Sequence, residues 1–209
     1  IAVPKAIDSA KQRELELVQE HHLAELAAAR EEAAAHTATT IGAGYFHTVG
    51  VRTDGTVEAV GGNYFGECDV SDWTDIIAVS AGISRTVGLR SDGTVAATYE
   101  NSKEYNISEW SGIVAVSDGT VATLGLRSDG TVIATKYNKD IWHGVSDWSD
   151  IVAVSAGGNH AVGLKSDGTV VAAGDNGSGE CDVSDWSDII AVSAGDRHTV
   201  GLKLDGMVI

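Results

Sequence analysis

From Ile41 onward the chain repeats one pattern of apolar and polar positions, seen whole in Ile151–Asp188, IVAVSAGGNHAVGLKSDGTVVAAGDNGSGECDVSDWSD. Ile151-Val152-Ala153-Val154-Ser155 is apolar on both alternating faces, the pattern of a strand covered on two sides. Ala156-Gly157 turns the chain into a second strand, His160-Ala161-Val162-Gly163-Leu164-Lys165. Ser166-Asp167-Gly168 reads as a tight hairpin, because Asp-Gly supplies the positive φ angles such a turn needs. Thr169-Val170-Val171-Ala172-Ala173 returns as a third strand, and a polar Gly/Asn/Ser loop follows. Cys181-Asp182-Val183 is expected to pair as a short outer strand before SDWSD leads into the next unit.

The pattern recurs in phase. Asp-Gly pairs start at Asp54, Asp92, Asp129, Asp167 and Asp205, in steps of 38, 37, 38 and 38 residues, and Trp73, Trp110, Trp148 and Trp186 keep the same beat. The units are 41–75, 76–112, 113–150 and 151–188, with a partial unit at 189–209. Three or four short antiparallel strands per unit make a blade, so an all-β propeller is expected rather than a β-helix or a helical solenoid. Gly50, Gly88, Gly125, Gly163 and Gly201 fall at one strand place, where a missing side chain lets neighbouring backbones crowd together. Met207-Val208-Ile209 stops inside a strand, and a toroid must close to hide its strand edges. The repeats are thus expected to be a piece of a longer propeller or an open, partial one.

Residues 1–36 are of another kind, rich in Ala, Glu, Leu and Gln and without Gly, a composition that favours helix. Asp8 or Ser9 offers a cap. Leu15, Val18, His22, Leu26, Ala29 and Ala33 mark one mildly apolar face that weakens to alanine. This helical segment is expected to lie on the neighbouring repeats or link them to something upstream; the sharper reading is a coiled-coil oligomerisation segment. His21-His22 beside Glu25 lacks a third ligand at a suitable offset for a metal site. Residues 37–40 form a polar joint, and 41–209 hold the repeats.

Composition narrows the classes. An apolar share of 43% in 209 residues argues for a folded chain. Lys+Arg of 14 against Asp+Glu of 30 gives a formal charge of −16, with no basic cluster, which disfavours nucleic acid and anionic membrane surfaces. No apolar run approaches the roughly 20 residues needed to span a bilayer. The chain begins at Ile1 rather than Met, so an upstream piece is expected.

Repetition also weighs the candidate chemistry. His47, His160 and His198 occupy one repeated place, held by Arg85 and Ala122 in the second and third units. A catalytic group is needed once, so a side chain present in several units reads as scaffold. Asp182, Asp185 and Asp188, matched by Asp69, Asp72 and Asp75, lack the spacing of a calcium loop and read as turn caps. Cys68 and Cys181 sit at matching places in distant units, too far apart for a disulfide, and read as free thiols packed as small apolar groups. There is no Gly-x-Ser-x-Gly elbow, no GxxxxGK[ST] loop and no Cys-x-x-Cys pair. No catalytic residue, metal or cofactor is assigned.

The phrases AGxxHTVGL(K/R)SDGTV and VSDWSDIVAVSAG resemble the RCC1-type (regulator of chromosome condensation) repeat in its short bacterial form, over the stretch from Ile41 to the end. The resemblance implies a β-propeller, usually of seven blades. Its eukaryotic namesake is a nucleotide-exchange factor for a small GTPase and binds nucleosomes through basic elements, and a bacterial relative inhibits β-lactamases through loops on one face. None of the namesake's functional elements has a counterpart here: there is no basic arm and no inserted wedge.

The places that vary between units are more informative. After each Ala-Gly or its equivalent stand Tyr45-Phe46, Ile83-Ser84, Thr120-Val121, Gly158-Asn159 and Asp196-Arg197. The second variable loop holds Tyr64 and Phe65, then Tyr99 and Tyr105, then Tyr137 and Trp142, and no aromatic in the fourth unit. A constant frame with varied, aromatic-bearing loops suits a non-enzymatic propeller that binds another protein with one face of the ring. The plainer reading of these aromatics is that they fold back on their own blades or vary without selection. The alternative function is a structural repeat module of a larger bacterial surface or secreted protein, with the helix as spacer. An exchange factor, a hydrolase and an enzyme inhibitor are the remaining readings.

Overall fold

Apolar stretches divided by glycine-containing bends fold back on themselves twice in every unit. The computed structural model describes residue 13 and residues 15–28, 41–98, 107–135 and 144–209. Among these, β1 (Ile41–Ala43), β2 (His47–Val51) and β3 (Val57–Gly61) form the first sheet, and β4 (Ile76–Ala81), β5 (Thr86–Arg90) and β6 (Val95–Ala97) the second. The third holds β7 (Ile113–Asp118), β8 (Thr123–Arg127) and β9 (Val132–Ala134), and the fourth β10 (Ile151–Ala156), β11 (His160–Lys165) and β12 (Val170–Gly174). A last sheet pairs β13 (Ile189–Ala194) with β14 (Thr199–Lys203), and Val208 bridges Leu202 as the start of a third strand. Every pairing is antiparallel, and each sheet packs on the next in chain order, first strand beside first strand.

Two local expectations are corrected. Cys181-Asp182-Val183 forms no outer strand. Asp182 N–H donates to Gly179 C=O and Trp186 N–H to Val183 C=O, so the segment is a run of turns that drops Val183 into the core. In the hairpin only the glycine takes a positive φ, 87° at Gly168 and 80–86° at Gly55, Gly93, Gly130 and Gly206. The aspartate instead accepts from the backbone N–H and hydroxyl of the threonine two residues on, as Asp167 does from Thr169 at 2.9 and 2.6 Å. These bonds hold the carboxyls of Asp54, Asp92, Asp129 and Asp167 below the usual carboxylate range.

The strand glycines also serve a different purpose from the one expected. A Cβ on Gly88, Gly125, Gly163 or Gly201 would lie 2.7, 2.8, 2.9 or 2.7 Å from the six-membered ring of Trp73, Trp110, Trp148 or Trp186, the tryptophan of the preceding unit. It is an indole that fills the missing side chain, not a neighbouring backbone. The δ-methyl of Ile76, Ile113, Ile151 or Ile189 closes the other side at 3.0–3.3 Å. Apolar contacts thus join the sheets pairwise, with Val49 and Val57 of one unit in a cluster with Val79 and Ala96 of the next. Serines add a polar rung: Ser80, Ser117 and Ser155 accept from the N–H of Asp118, Ala156 and Ala194 at 2.9–3.0 Å.

Hairpin turns seal the opposite edge of each junction. Gly55, Gly93, Gly130 and Gly168 C=O accept from Ile76, Ile113, Ile151 and Ile189 N–H, the residues that start the next sheet. Just before them, Asp75, Asp150 and Asp188 hold positive φ values of 60–62°, and their C=O groups accept from Ser91, Ser166 and Leu204.

A helix, α1 (residues 15–28), lies at this hairpin end. His22 Nε2 is 2.8 Å from Asp188 Oδ1, and Leu26, one turn on, is 1% exposed. Leu15 and Val18 on the same stripe stay exposed, so α1 is seated through its C-terminal half. Ala29 and Ala33 lie outside the described residues. No helix among the described residues is long and apolar enough to cross a membrane.

Two outcomes follow. Gly163→Ala should destabilise the fold by about 1–3 kcal/mol through overpacking against Trp148, although alanine is normally the better residue inside a strand; a denaturant titration reads the sign. Leu26→Asp should release α1 and leave the sheets intact, seen as faster amide exchange over residues 15–28 with unchanged protection in β10 and β11.

Candidate functional site

The connection from β1 to β2 and the loop after β3 emerge at one end of the first sheet, opposite the hairpin turns and α1. Their backbones are tied together: Gly62 N–H donates to Phe46 C=O at 2.8 Å, beside the His47–Gly61 pair that closes the ladder. Tyr45 and Phe46 stand on the first loop in edge-to-face contact, ring centres 4.5 Å apart, and Tyr64 and Phe65 on the second at 5.2 Å. All four are exposed, Tyr45 at 70%, Phe46 at 67%, Tyr64 at 90% and Phe65 at 52%. Aromatics this open are not folded back on their own blade. Tyr99, Tyr105, Tyr137 and Trp142, the other candidates for this surface, lie outside the described residues.

The second loop is a built frame. Asn63 bridges it, its Oδ1 accepting from Cys68 N–H at 2.8 Å and its Nδ2 donating to Asp69 Oδ1 at 2.9 Å. Glu67, buried, accepts from Phe65 N–H at 2.8 Å. Gly66 takes a φ of 87°, and a Cβ there would sit 2.9 Å from Asp69 Oδ2. The fourth unit repeats every bond: Asn176 to Cys181 N–H and Asp182 Oδ1 at 2.8 and 2.9 Å, and Glu180 to Ser178 N–H at 2.6 Å. Between these anchors the first unit carries Tyr64-Phe65 and the fourth Gly177-Ser178. One frame therefore holds two different side-chain pairs. Sequence reasoning missed Asn63, Glu67, Asn176 and Glu180; the signal was the string Asn-x-x-Gly-Glu-Cys-Asp shared by the two units.

The thiols belong to this frame. Cys68 Sγ donates to Gly62 C=O and Cys181 Sγ to Asp175 C=O at 3.1 Å, so they are polar loop ties more than the apolar packing groups expected. Burial, with Glu180, Asp182 and Asp175 adding to it, pushes the Cys181 thiol up to about 11, and burial raises Cys68 likewise, which leaves little thiolate at neutral pH.

The repeated histidines work between units. His47 Nε2 meets Thr86 Oγ1 at 2.8 Å, and that hydroxyl donates to Glu67 C=O, so it accepts from an Nε2–H. His160, Thr199 and Glu180 repeat the relay at 2.9 and 2.7 Å. Burial lowers both imidazoles below the usual histidine value, in keeping with this neutral tautomer. Gly44 and Gly157 make room for the rings; a Cβ on either would lie 2.5 Å from the imidazole Cε1. These histidines join the sheets and brace the frame from beneath.

Arg85 stands at the same place in the second unit. Its Nε donates to Asp118 Oδ1 at 2.7 Å, which also accepts from Thr123 Oγ1 at 2.5 Å. Burial pushes the Asp118 carboxyl up to about 6, against the pull of Arg85 and Thr123.

The fold is a partial β-propeller whose sheets are stacked blades with a loop end and a hairpin end. Parts of the first and fourth units match the model of a known repeat. The family model described as "Regulator of chromosome condensation (RCC1) repeat" matches residues 38–67 and 151–180, ending at Glu67 and Glu180. Similar solved structures include the ectodomain of the Physcomitrella patens receptor kinase CR4, 17% identical with a TM-score of 0.67 over 82% of this chain and 52% of that one. Saccharomyces cerevisiae Prp20p is 14% identical with a TM-score of 0.61, over 77% of this chain and 54% of that one. Human WBSCR16 is 15% identical with a TM-score of 0.63, over 81% and 61%. The chain spans about half the length of the first solved structures it matches. No curated protein matches it in sequence.

The buried acid gives a pH test. The folded value of Asp118 lies above its ordinary 3.8, so its contribution to stability is full below that value and lost as pH rises through about 6. Moving from about pH 7 to about pH 5 should therefore raise the stability of the parent relative to Asp118→Asn, which has no proton to gain. Thermal midpoints of both proteins at the two pH values measure the difference.

Proposed function

We propose that this chain is a non-enzymatic, protein-binding propeller whose contact surface is the loop end of the first unit, centred on Tyr45, Phe46, Tyr64 and Phe65. The observation that carries this reading is the exposure of these four rings on loops whose backbones are hydrogen-bonded together. Large rings held on an ordered loop cost little conformational entropy on binding, and aromatic side chains dominate the hot spots of protein interfaces. The frame around Tyr64-Phe65 persists when the pair is replaced by Gly177-Ser178, which supports display rather than packing as its purpose. α1 sits at the hairpin end and leaves this surface open. The repeats are of a kind found in protein-interaction modules: yeast Prp20 is described with its binding to Gsp1p and histones, and has been solved with Kap60. Tyr99, Tyr105, Tyr137 and Trp142 belong to the same proposed surface through their places in the repeat.

The test borrows the fourth unit's own residues. Tyr64→Gly with Phe65→Ser places the Gly-Ser pair of the fourth unit between the same Asn63 and Glu67 anchors, so the frame and the stability should be kept. Binding to a protein captured by the intact chain should weaken by about 30-fold or more, the loss of roughly 2 kcal/mol or more expected of a hot spot. Unchanged affinity in the folded variant would remove these residues from the interface.

A further inference from the structure

We propose that three places at each junction act as a pairing code that decides which repeat can pack on which. The first place stands at the start of the second strand, occupied in chain order by His47, Arg85, Ala122, His160 and His198. The other two belong to the following unit: the end of its first strand, at Ala81, Asp118, Ala156 and Ala194, and its second strand, at Thr86, Thr123, Ala161 and Thr199.

The four junctions hold three matched sets. His47 and His160 meet a threonine, Thr86 and Thr199, with alanine at the remaining place. Arg85, longer and charged, meets Asp118 where the others have alanine, and Thr123 turns its hydroxyl to that carboxylate. Ala122 makes no polar demand, and the threonine opposite is gone too: Ala161 takes its place, both alanines within 1% of full burial and in one apolar cluster. The residues change together across each junction although they lie in different repeats. Physics supplies the reason. A buried guanidinium without its carboxylate, or a buried hydroxyl without a partner, costs more than the matched set gains. Every mismatch is thus penalised, and packing by the shared Trp–Gly stack alone would not distinguish one neighbour from another.

The code predicts that sets are exchangeable whole and damaging in part. Arg85→His and Asp118→Ala, each alone, should lower the thermal midpoint by roughly 6 °C or more. Together they install the His–Thr set on the Thr123 already present, and the midpoint should return to within about 3 °C of the parent. Adding Thr123→Ala to that double variant should abolish the recovery. In the reverse exchange, His160→Arg should be damaging alone and rescued by Ala194→Asp, which rebuilds the Arg–Asp–Thr set around Thr199. His198→Arg, on a side chain exposed to solvent, should leave the midpoint where it was. Destabilisations that simply add in both double variants, or a recovery indifferent to Thr123→Ala, would overturn the code.

Discussion

The tryptophan that closes each unit has no complete pocket within that unit. Its ring finishes against a glycine of the next one, and the isoleucine that starts the next sheet closes the remaining side. A single unit would leave a large ring and the flat face of a three-stranded sheet in water, and so cannot be stable alone; stacked units bury both at once. The rest of the architecture follows from this dependence. The hairpin turn must lie beside the start of the next first strand, which its glycine carbonyl achieves, and the serine rung must line up, which the in-phase spacing achieves. Any loss of phase would move the glycine from under the ring.

Because the stack takes over the work of cohesion, the loop end is released from it. The frame of Asn63, Gly66, Glu67 and Asp69 satisfies its own polar groups and leans on the next unit through Thr86, whose hydroxyl donates to Glu67 C=O. The two residues it holds up carry no bond in which their side chains are needed. That separation lets the first unit present Tyr64-Phe65 and the fourth Gly177-Ser178 at no cost to the scaffold.

The repeat, its strands and its phase are legible in the sequence because Asp-Gly and Trp recur at fixed steps and the strands between them are β-branched. The exposed rings of Tyr45, Phe46, Tyr64 and Phe65 are legible for the complementary reason, as the places where the repeat departs from itself. Less could be read where three-residue signals are degenerate: Cys181-Asp182-Val183 has the alternation of a strand, and the Asn176 and Gly179 bonds decide instead for turns. The glycine of the second strand is plain as a small residue, but what fills the space is an indole 15 residues earlier, a partner that only the stacking order reveals. Arg85 and Asp118 stand 33 residues apart in different repeats, each looking like an isolated departure from its column.

Polar groups at the junctions gain meaning from the same order. A propeller of near-identical blades has many wrong stackings available, and the apolar contacts are too alike to penalise them. His–Thr, Arg–Asp–Thr and Ala–Ala contribute modest net stability when matched, since each buried polar group must first lose its water. Their effect is largest on the mismatched alternatives, where a buried guanidinium, carboxylate or imidazole loses the side-chain bond that offsets its desolvation. The His–Thr relay reaches further, because its threonine also holds the carbonyl of the frame glutamate. At the first and fourth junctions one threonine hydroxyl therefore meets both the histidine of the preceding unit and the carbonyl of its loop frame.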